Sequence, residues 1–282
     1  MTAGADGSLG LAHFSAIGLA PIDLVRAAAT AGFSHVGLRL IPPFSGAPHY
    51  PFGAASEQAR RLLHVLDGEG ITVHDVEAAV IDPEFRADAL VPALEAARTL
   101  GARRLNVAAD DPEWPRLTDN FSSLCEIAAG YGLAVDFENM GWRTVATYSQ
   151  SLQVVKRSGA SNAFVLVDAL HFFRNGGSAS DLSGNEKWTA SLQLCDVRGP
   201  SPQRNEDRVA EARSGRFAPG EGELPLRDLI HALHDRTVVS VEVPMSAADI
   251  SPLDHIQRLA SAARSVLDRA EGNATAPPSR KF

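Results

Sequence analysis

The feature that most constrains the fold is a regular alternation of short apolar runs with helix-like segments along most of the chain. Several runs are apolar on both faces, such as Phe-Val-Leu-Val from Phe164 and Val-Val-Ser-Val from Val238. This pattern is typical of parallel strands that are covered by helices. The predicted strands are Leu11–Ser15, Phe33–Ile41, Ile71–Val80, Arg103–Ala109, Leu133–Glu138, Phe164–Asp168, Ala190–Asp196 and Thr237–Val243.

Helices are predicted between these strands, because prolines suited to a first turn and glycines suited to a stop bound many of the intervening segments. They are Pro21–Ala31, Ala54–Leu66, Ala87–Leu100, Leu117–Ala129, Tyr148–Arg157, Ser180–Leu182, Pro225–His234 and Pro252–Leu267. Eight strands alternating with eight helical segments favour an α/β fold, a single (β/α)8 TIM barrel, over a doubly wound sheet. The first strand is not followed by the Gly-x-Gly-x-x-Gly turn of a dinucleotide-binding sheet.

The length of 282 residues and the hydrophobic share of 45% are enough for a large core in one domain. We expect a flexible N-terminus at 1–8, a catalytic barrel at 9–267 and a flexible tail, rich in Ala, Pro and Ser, at 268–282. The polar segment Gly199–Glu223 is predicted to be a long loop, either a functional lid or disordered.

Charge and cysteine content exclude several classes of protein. The net charge of −8 is a poor match for a protein that must neutralise the phosphates of nucleic acid. Cys125 and Cys195 form neither a CxxC pair nor a disulfide framework, no apolar run reaches the length of a membrane span, and the start lacks the positive charge of a signal peptide. We therefore expect a cytoplasmic protein that acts on a small molecule, with no nucleic-acid or membrane partner.

Four successive predicted strands end in a carboxylate or a carboxamide within an apolar run, and these residues are Glu138, Asp168, Gln193 and Glu242. The carboxyl ends of the strands form the active-site face of a parallel barrel. Buried carboxylates are costly unless they are paired or bind a cation. Three carboxylates and one amide oxygen suit Mn²⁺, Mg²⁺ or Co²⁺ better than a structural zinc site.

Each of these residues also has a structural interpretation, which stays open at the level of sequence. Asp168 could serve as a helix N-cap, and Gln193 could be a hydrogen-bonding core residue. Asp196 could equally be part of a structural ion pair. Further candidates near the barrel mouth, each also explicable by packing or surface position, are His13, Glu77, Trp142, His171 and Arg198.

Taken in order, these motifs resemble the xylose-isomerase-like TIM barrel superfamily of sugar isomerases and epimerases, which also contains an endonuclease branch and dehydratases. The resemblance spans roughly residues 9 to 267. It rests on Asp-Phe-Glu-Asn with Glu138, Val-Asp-Ala-Leu-His with Asp168 and His171, Gln-Leu-Cys-Asp with Gln193 and Asp196, Val-Glu-Val-Pro with Glu242, and the loop segment with Gly215, Arg216, Pro219, Gly220 and Gly222.

The resemblance implies one divalent metal held by Glu138, Asp168, Gln193 and Glu242, with Mn²⁺ or Mg²⁺ favoured and Co²⁺ or Zn²⁺ as alternatives. It implies that the two glutamates act as acid and base on either side of a metal-bound enediolate, which gives isomerisation or epimerisation. His171, Arg198, Glu77 and Trp142 would contact the substrate. If a hydroxyl lies β to the carbanion, the same site would expel water.

Two departures from the family pattern bear on the substrate. The family usually has His where this chain has Gln193, and a harder ligand favours Mn²⁺ or Mg²⁺. The ketohexose-epimerase branch has a second glutamate soon after the fifth strand, whereas residues 139–147 contain none and include Arg143. Arg143 and Arg198 therefore suggest a sugar acid or keto-acid. A dehydratase or lyase, a metal-free binding module and self-association into a homo-oligomer are the alternatives left open.

Overall fold

The structure, a computed structural model, describes residues 7–246 and 250–272. Its eight parallel strands pair in chain order and close, β8 pairing with β1, so the predicted (β/α)8 barrel is confirmed. The strands are β1 Gly10–Leu11, β2 His35–Arg39, β3 Thr72–Ile81, β4 Arg104–Ala109, β5 Ala134–Glu138, β6 Ala163–Asp168, β7 Thr189–Leu194 and β8 Val238–Val241.

Nine α-helices in the described residues cover the barrel, and several begin at caps that the sequence supplies. They are α1 Pro21–Thr30, α2 Glu57–Glu69, α3 Val91–Thr99, α4 Trp114–Gly130, α5 Tyr148–Ser158, α6 Ala169–Arg174, α7 Asn205–Ser214, α8 Leu226–His231 and α9 Pro252–Ala270. Thr147 and Gln150 form a capping box at the start of α5, and the Ser251 hydroxyl accepts a hydrogen bond at the start of α9. These caps satisfy backbone N–H groups that have no partner within a helix.

Apart from shifts of a few residues at element ends, the structure departs from the predicted elements most clearly in the following places. The first strand is shorter, because residues 13–16 form a 3-10 helix. Helix α6 follows β6 directly, whereas the predicted helix at 180–182 is part of a 3-10 turn, Ala179–Leu182. The segment 199–223 contains helix α7 rather than only a loop. Helix α9 continues to Ala270, into the segment that was predicted to be a flexible tail.

Part of the predicted ends, 1–6 and 273–282, lies outside the described residues. Among the described residues, none of the helices has the length and apolar character needed to cross a membrane. Cys125 and Cys195 are buried free thiols.

The lower half of the barrel interior holds a group of charged and polar residues that we call the lower cluster: Arg104, Asp136 and Ser191. Asp136 is fully buried and accepts hydrogen bonds from Arg104 Nε at 2.5 Å and Ser191 Oγ at 2.6 Å, together with a second guanidinium N–H of Arg104. Because side chains alternate along a strand, Asp136 lies one layer below Glu138, and Ser191 one layer below Gln193. The lower cluster therefore lies one layer beneath the mouth of the barrel.

Candidate active site at the barrel mouth

The four predicted ligands lie at the carboxyl ends of four adjacent strands, as expected. Glu138 ends β5, Asp168 ends β6, Gln193 is the fifth of the six residues of β7, and Glu242 follows β8. Asp168 is in register with Gln193, and all four side chains are buried. With Arg216, they form what we call the mouth cluster.

Glu138, Asp168 and His171 form the group within the mouth that could hold a metal ion. One potential ligand atom from each lies within 4.8 Å of the others, and all three residues are buried. His171 Nε2 is 3.9 Å from Glu138 Oε1. His171 reaches this position because the Asp168 carboxylate accepts a hydrogen bond from its backbone N–H at 2.9 Å and so caps α6.

Arg216 is the central cation of the mouth cluster, and sequence analysis did not select it as a site residue. Its Nη1 donates to Asp168 Oδ2 at 2.5 Å and to the backbone oxygen of Glu242 at 3.1 Å. Its Nη2 is 3.1 Å from Glu242 Oε2. The available signal was its place in the segment before Pro219 and Gly220, which carries part of the family resemblance.

The carboxamide of Gln193 is only partly satisfied. Its Nε2 donates to Glu242 Oε1 over a long distance of 3.4 Å. Its Oε1 is buried and has no hydrogen-bond partner in the described part of the chain. A buried amide oxygen without a donor carries a free-energy cost of about 1–3 kcal/mol, and a cation could offset that cost.

A second ion pair flanks the mouth cluster and explains two further candidates. Arg39 donates to Glu77 Oε2 at 2.7 Å, and its guanidinium lies 4.4 Å from the ring centre of Phe14. His13 Nδ1 accepts from the backbone N–H of Arg39 at 3.0 Å, while its Nε2–H donates to the Leu19 carbonyl at 2.9 Å. His13 therefore supports the backbone, and Glu77 is bound to Arg39 through its Oε2 atom.

The other predicted contacts divide between the cavity and the surface. Trp142 lies at the mouth, edge-on to His171 with ring centres 5.0 Å apart. The structure does not bring Arg198 to the cavity: its guanidinium donates to the Glu221 carbonyl and lies 4.7 Å from the ring centre of Phe217. The guanidinium of Arg198 therefore stabilises the loop that contains Phe217 and Glu221.

Asp196 has a structural role, which it fills through hydrogen bonds to backbone N–H groups and not through an ion pair among the described residues. Its carboxylate accepts hydrogen bonds from the backbone N–H groups of Val197, Gly220 and Leu224 at 2.9–3.0 Å. A side chain at Gly222 would place its Cβ only 2.3 Å from Asp196 Oδ1. The glycine therefore allows the loop to wrap around this carboxylate and to bring Arg216 inward.

Burial, together with neighbouring charges, shifts the pKa values of the mouth cluster in different directions. It raises the pKa of Glu242 to about 7 and, with the nearby charges of Glu242 and Asp168, raises the pKa of Glu138 well above its ordinary value. Burial also favours the neutral form of Asp168, but Arg216 and His171 outweigh it and hold the pKa of Asp168 below its ordinary value. Burial lowers the pKa of His171 to about 4, so its imidazole is neutral at pH 7.

The donor set fits a divalent cation. Glu138, Asp168 and Glu242 supply three buried carboxylates, and Arg216 is the one cation paired with them in the described residues. Full ionisation leaves two negative charges uncompensated, and the unpartnered Gln193 oxygen adds a neutral ligand. Buried charge of this kind is stable when it binds a cation.

A cavity of about 490 Å³ opens above these residues. Glu138, His171, Gln193, Arg216 and Glu242 line it, whereas Asp168 lies behind Arg216. The volume is in the usual range for small-molecule sites. The mouth cluster thus combines an adjacent cavity, two glutamates of raised pKa and an incompletely satisfied set of oxygen ligands.

A family model described as a xylose isomerase-like TIM barrel matches residues 25–269. No curated protein is detectably similar to the chain. These findings agree with the resemblance inferred from the strand-end motifs.

Solved structures share the fold at low identity. A xylose isomerase-like TIM barrel/4-hydroxyphenylpyruvate dioxygenase fusion protein has a TM-score of 0.78 and 19% identity over 96% of this chain, which spans 45% of the fusion. The IOLI protein with a binding zinc atom has a TM-score of 0.77 and 17% identity, covering 93% of this chain and 99% of IOLI. D-psicose 3-epimerase from Clostridium cellulolyticum H10, solved with D-tagatose, has a TM-score of 0.67 and 15% identity, covering 94% and 98%. A probable 3-DHS dehydratase and an AP endonuclease also match.

Proposed function

The chain belongs to the xylose isomerase-like TIM barrel family, and from this premise we propose that it is a divalent-metal-dependent isomerase or epimerase of a small hydroxy-carbonyl compound. The observation that carries the proposal is the pair Glu138 and Glu242, both buried at one cavity and both with a raised pKa. A catalytic acid and base work best with pKa values near the operating pH.

We propose that Glu138, Asp168, Gln193 and Glu242 hold the metal, with Mn²⁺ or Mg²⁺ favoured by an all-oxygen set and Co²⁺ or Zn²⁺ as alternatives. His171 is close enough to Glu138 and Asp168 to replace one of these ligands. When bound, a divalent cation polarises a carbonyl and acidifies the adjacent C–H.

The protein's own residues then move the proton. One glutamate, in its ionised form, removes the proton from the carbon beside the carbonyl, and the other, in its protonated form, returns a proton to the neighbouring carbon or to the opposite face. Arg216 orients Glu242 by contacts with its carboxylate and its backbone oxygen. The neutral imidazole of His171 can hydrogen-bond a substrate hydroxyl beside Glu138.

A dehydratase on the same scaffold is the second candidate, because the proton abstraction is shared and only the substrate differs. The absence of a second glutamate in residues 139–147 and the presence of Arg143 favour an acidic substrate over a free ketohexose. If that acid carries a hydroxyl β to the carbanion, water leaves instead of a proton returning.

Solvent exchange tests the proposal. Purified protein with Mn²⁺ is incubated in D₂O with ketoses, aldoses, sugar acids and hydroxy-keto acids, and NMR follows deuterium entering the carbon beside the carbonyl. We expect exchange without water loss in at least one compound, falling about 10²–10⁴-fold in Glu138→Gln and Glu242→Gln. The exposed Glu95→Gln on α3 is the matched control and should keep the wild-type rate.

The other outcomes are equally specific. Exchange accompanied by water loss would assign the dehydratase reaction. If no compound exchanged and the protein bound no metal, the isomerase proposal would fail in favour of a binding module. Retention of the full rate in both glutamate variants would also contradict the proposed roles.

A further inference from the structure

The side walls of the cavity differ in chemistry from its floor, which is formed by the mouth cluster. Above the mouth cluster, the lining is mostly apolar, and its largest members are Phe14, Ile17, Phe44, Met140, Trp142 and Met245. Prolines and alanines add to these walls, whereas the further polar lining residues Arg39, Glu77 and Asn106 belong to the barrel strands β2, β3 and β4 beside the mouth cluster. The hydroxy-carbonyl end of a substrate is served by the floor, whereas the rest of the substrate meets apolar surface.

This wall is a poor match for a free sugar. Burying a hydroxyl without a hydrogen-bond partner costs about 2–7 kcal/mol, depending on the reference state. A ketohexose carries hydroxyls along its whole length, and those beyond the floor would face Phe14, Met140 and Trp142. An aromatic or branched apolar group would instead gain free energy from the same surface.

Two arginines, Arg143 and Arg213, also line the cavity, and among the described residues neither forms an ion pair with the mouth cluster. Arg143 is largely buried, and its ion pair with Asp110 is long, at 3.3 Å, with an Asp110 side chain that is 47% exposed. Its Nε is buried and has no hydrogen-bond partner within residues 7–246 and 250–272. Arg143 and Arg213 both line the cavity, and burial lowers the pKa of Arg143 although the charges of Asp110 and Glu138 oppose this shift.

Arg213 completes this pair from the C-terminal turn of α7. Its guanidinium lies 4.6 Å from the ring centre of Phe44, and no acidic side chain of the described chain forms an ion pair with it. Arg213 is exposed and unpaired among the described residues, and the buried Nε–H of Arg143 is unused, so both can donate to a carboxylate, whose geometry matches the guanidinium fork. Because Arg143 is already paired with Asp110, one unpaired positive charge remains, which matches a singly charged carboxylate better than a doubly charged phosphate.

We propose that the substrate of this cavity is an amphipathic carboxylate: a hydroxy-carbonyl compound whose non-reacting part is an aromatic or branched apolar group and whose carboxylate binds Arg143 and Arg213. The reacting end of this assignment rests on the proposed function. The apolar body and the carboxylate rest on the walls and on the two arginines alone.

Three probes separate the parts of the proposal. 1,3-Dihydroxyacetone has only the hydroxy-carbonyl end, 2-hydroxyacetophenone adds a ring, and 4-(hydroxyacetyl)benzoate adds a carboxylate to the ring. Isothermal titration of the full chain with Mn²⁺ measures the affinity of each. We expect the ring to raise affinity at least tenfold and the carboxylate about tenfold again, each step being about 1.4 kcal/mol.

Variants assign the carboxylate contact. Arg213→Gln and Arg143→Gln should weaken 4-(hydroxyacetyl)benzoate about tenfold, to the level of the neutral ring probe, and leave 2-hydroxyacetophenone unchanged. Arg143→Lys keeps the charge and should lose less than Arg143→Gln. The matched control is Arg204→Gln, an exposed arginine that precedes α7 and pairs with Glu206 outside the cavity; it should bind all three probes as wild type does.

Two results would overturn the inference. Dihydroxyacetone binding as tightly as the ring probe would exclude the apolar body, and a carboxylate probe insensitive to both arginine variants would exclude the anion contact. Deuterium exchange at the hydroxymethylene carbon is measured separately on each probe. Its absence, with the predicted order of affinities intact, would contradict the proposed function while leaving the substrate class supported.

Discussion

The barrel interior contains two buried groups of charged residues one layer apart, and they differ in what is left unsatisfied. In the lower cluster, both oxygens of Asp136 are occupied by Arg104 and Ser191. In the mouth cluster, Gln193 Oε1 has no partner in the described residues, and the Glu138 carboxylate lies 3.9 Å from His171 Nε2, beyond hydrogen-bond distance. Burial of charge alone therefore does not distinguish a structural cluster from an active site.

The cavity makes the second difference. Glu138, Gln193 and Glu242 line the 490 Å³ space, whereas no member of the lower cluster does. Oxygen atoms that have no hydrogen-bond partner and lie beside a cavity can bind a cation or a substrate. Unpartnered polar atoms away from any cavity would only lower stability. The lower cluster avoids this cost because Arg104 and Ser191 hydrogen-bond both oxygens of Asp136.

The two clusters should differ most in how strongly a substitution lowers the free energy of unfolding. Asp136→Ala leaves Arg104 as an unpaired cation in the barrel, and removing one partner of a buried ion pair costs about 3–5 kcal/mol. Urea unfolding should detect this loss. Glu138→Gln, which replaces a carboxylate by a neutral isostere among like charges, should unfold within about 1 kcal/mol of wild type. Equal losses in both variants would remove the distinction between the clusters.

The second prediction concerns the pH dependence of stability in metal-free protein. A carboxyl group whose pKa is raised by folding binds its proton more tightly in the folded state. The stability it contributes is therefore lost as pH rises from its ordinary value of 4.5 to about 7 for Glu242. The loss amounts to about 3 kcal/mol over this window.

Glu138 and Asp75 have raised pKa values too and act in the same direction, so wild type is compared with Glu242→Gln. Urea midpoints between pH 4 and pH 8 should fall less steeply in the variant, and saturating Mn²⁺ should reduce the slope of wild type. Superimposable pH profiles for the two metal-free proteins would refute the assignment.

The smallest of these effects is a change of metal preference. Gln193→His replaces an amide oxygen by a softer imidazole, which favours Zn²⁺ over Mn²⁺. We expect the ratio of Zn²⁺ to Mn²⁺ affinity to rise about tenfold, or 1.4 kcal/mol, in competition titrations. The equivalent change in the lower cluster, Ser191→His, should leave this ratio unaltered; an equal shift there would show that Gln193 is not a ligand.

The barrel and the positions of Glu138, Asp168, Gln193 and Glu242 were predictable, because polar residues at the ends of otherwise apolar strands stand out. Helix α7 was not, since its exposed, highly charged sequence has no apolar face to reveal a helical period. The contact of Arg216 with Asp168 joins residues 48 positions apart and depends on the loop that Asp196 organises. Sequence alone suggested Arg198 as a substrate contact, but in the structure its guanidinium is bound to the Glu221 carbonyl instead. Cytoplasmic localisation and self-association stay predictions.

The most direct test of the central claim is a calorimetric titration of the metal-free protein with Mn²⁺. We expect one Mn²⁺ site per chain in wild type and in the surface control Glu95→Gln. We also expect an affinity at least about tenfold weaker in Glu242→Gln, because a charged ligand is lost. No binding to wild type, or unchanged binding to Glu242→Gln, would contradict the assignment of the mouth cluster as a metal centre.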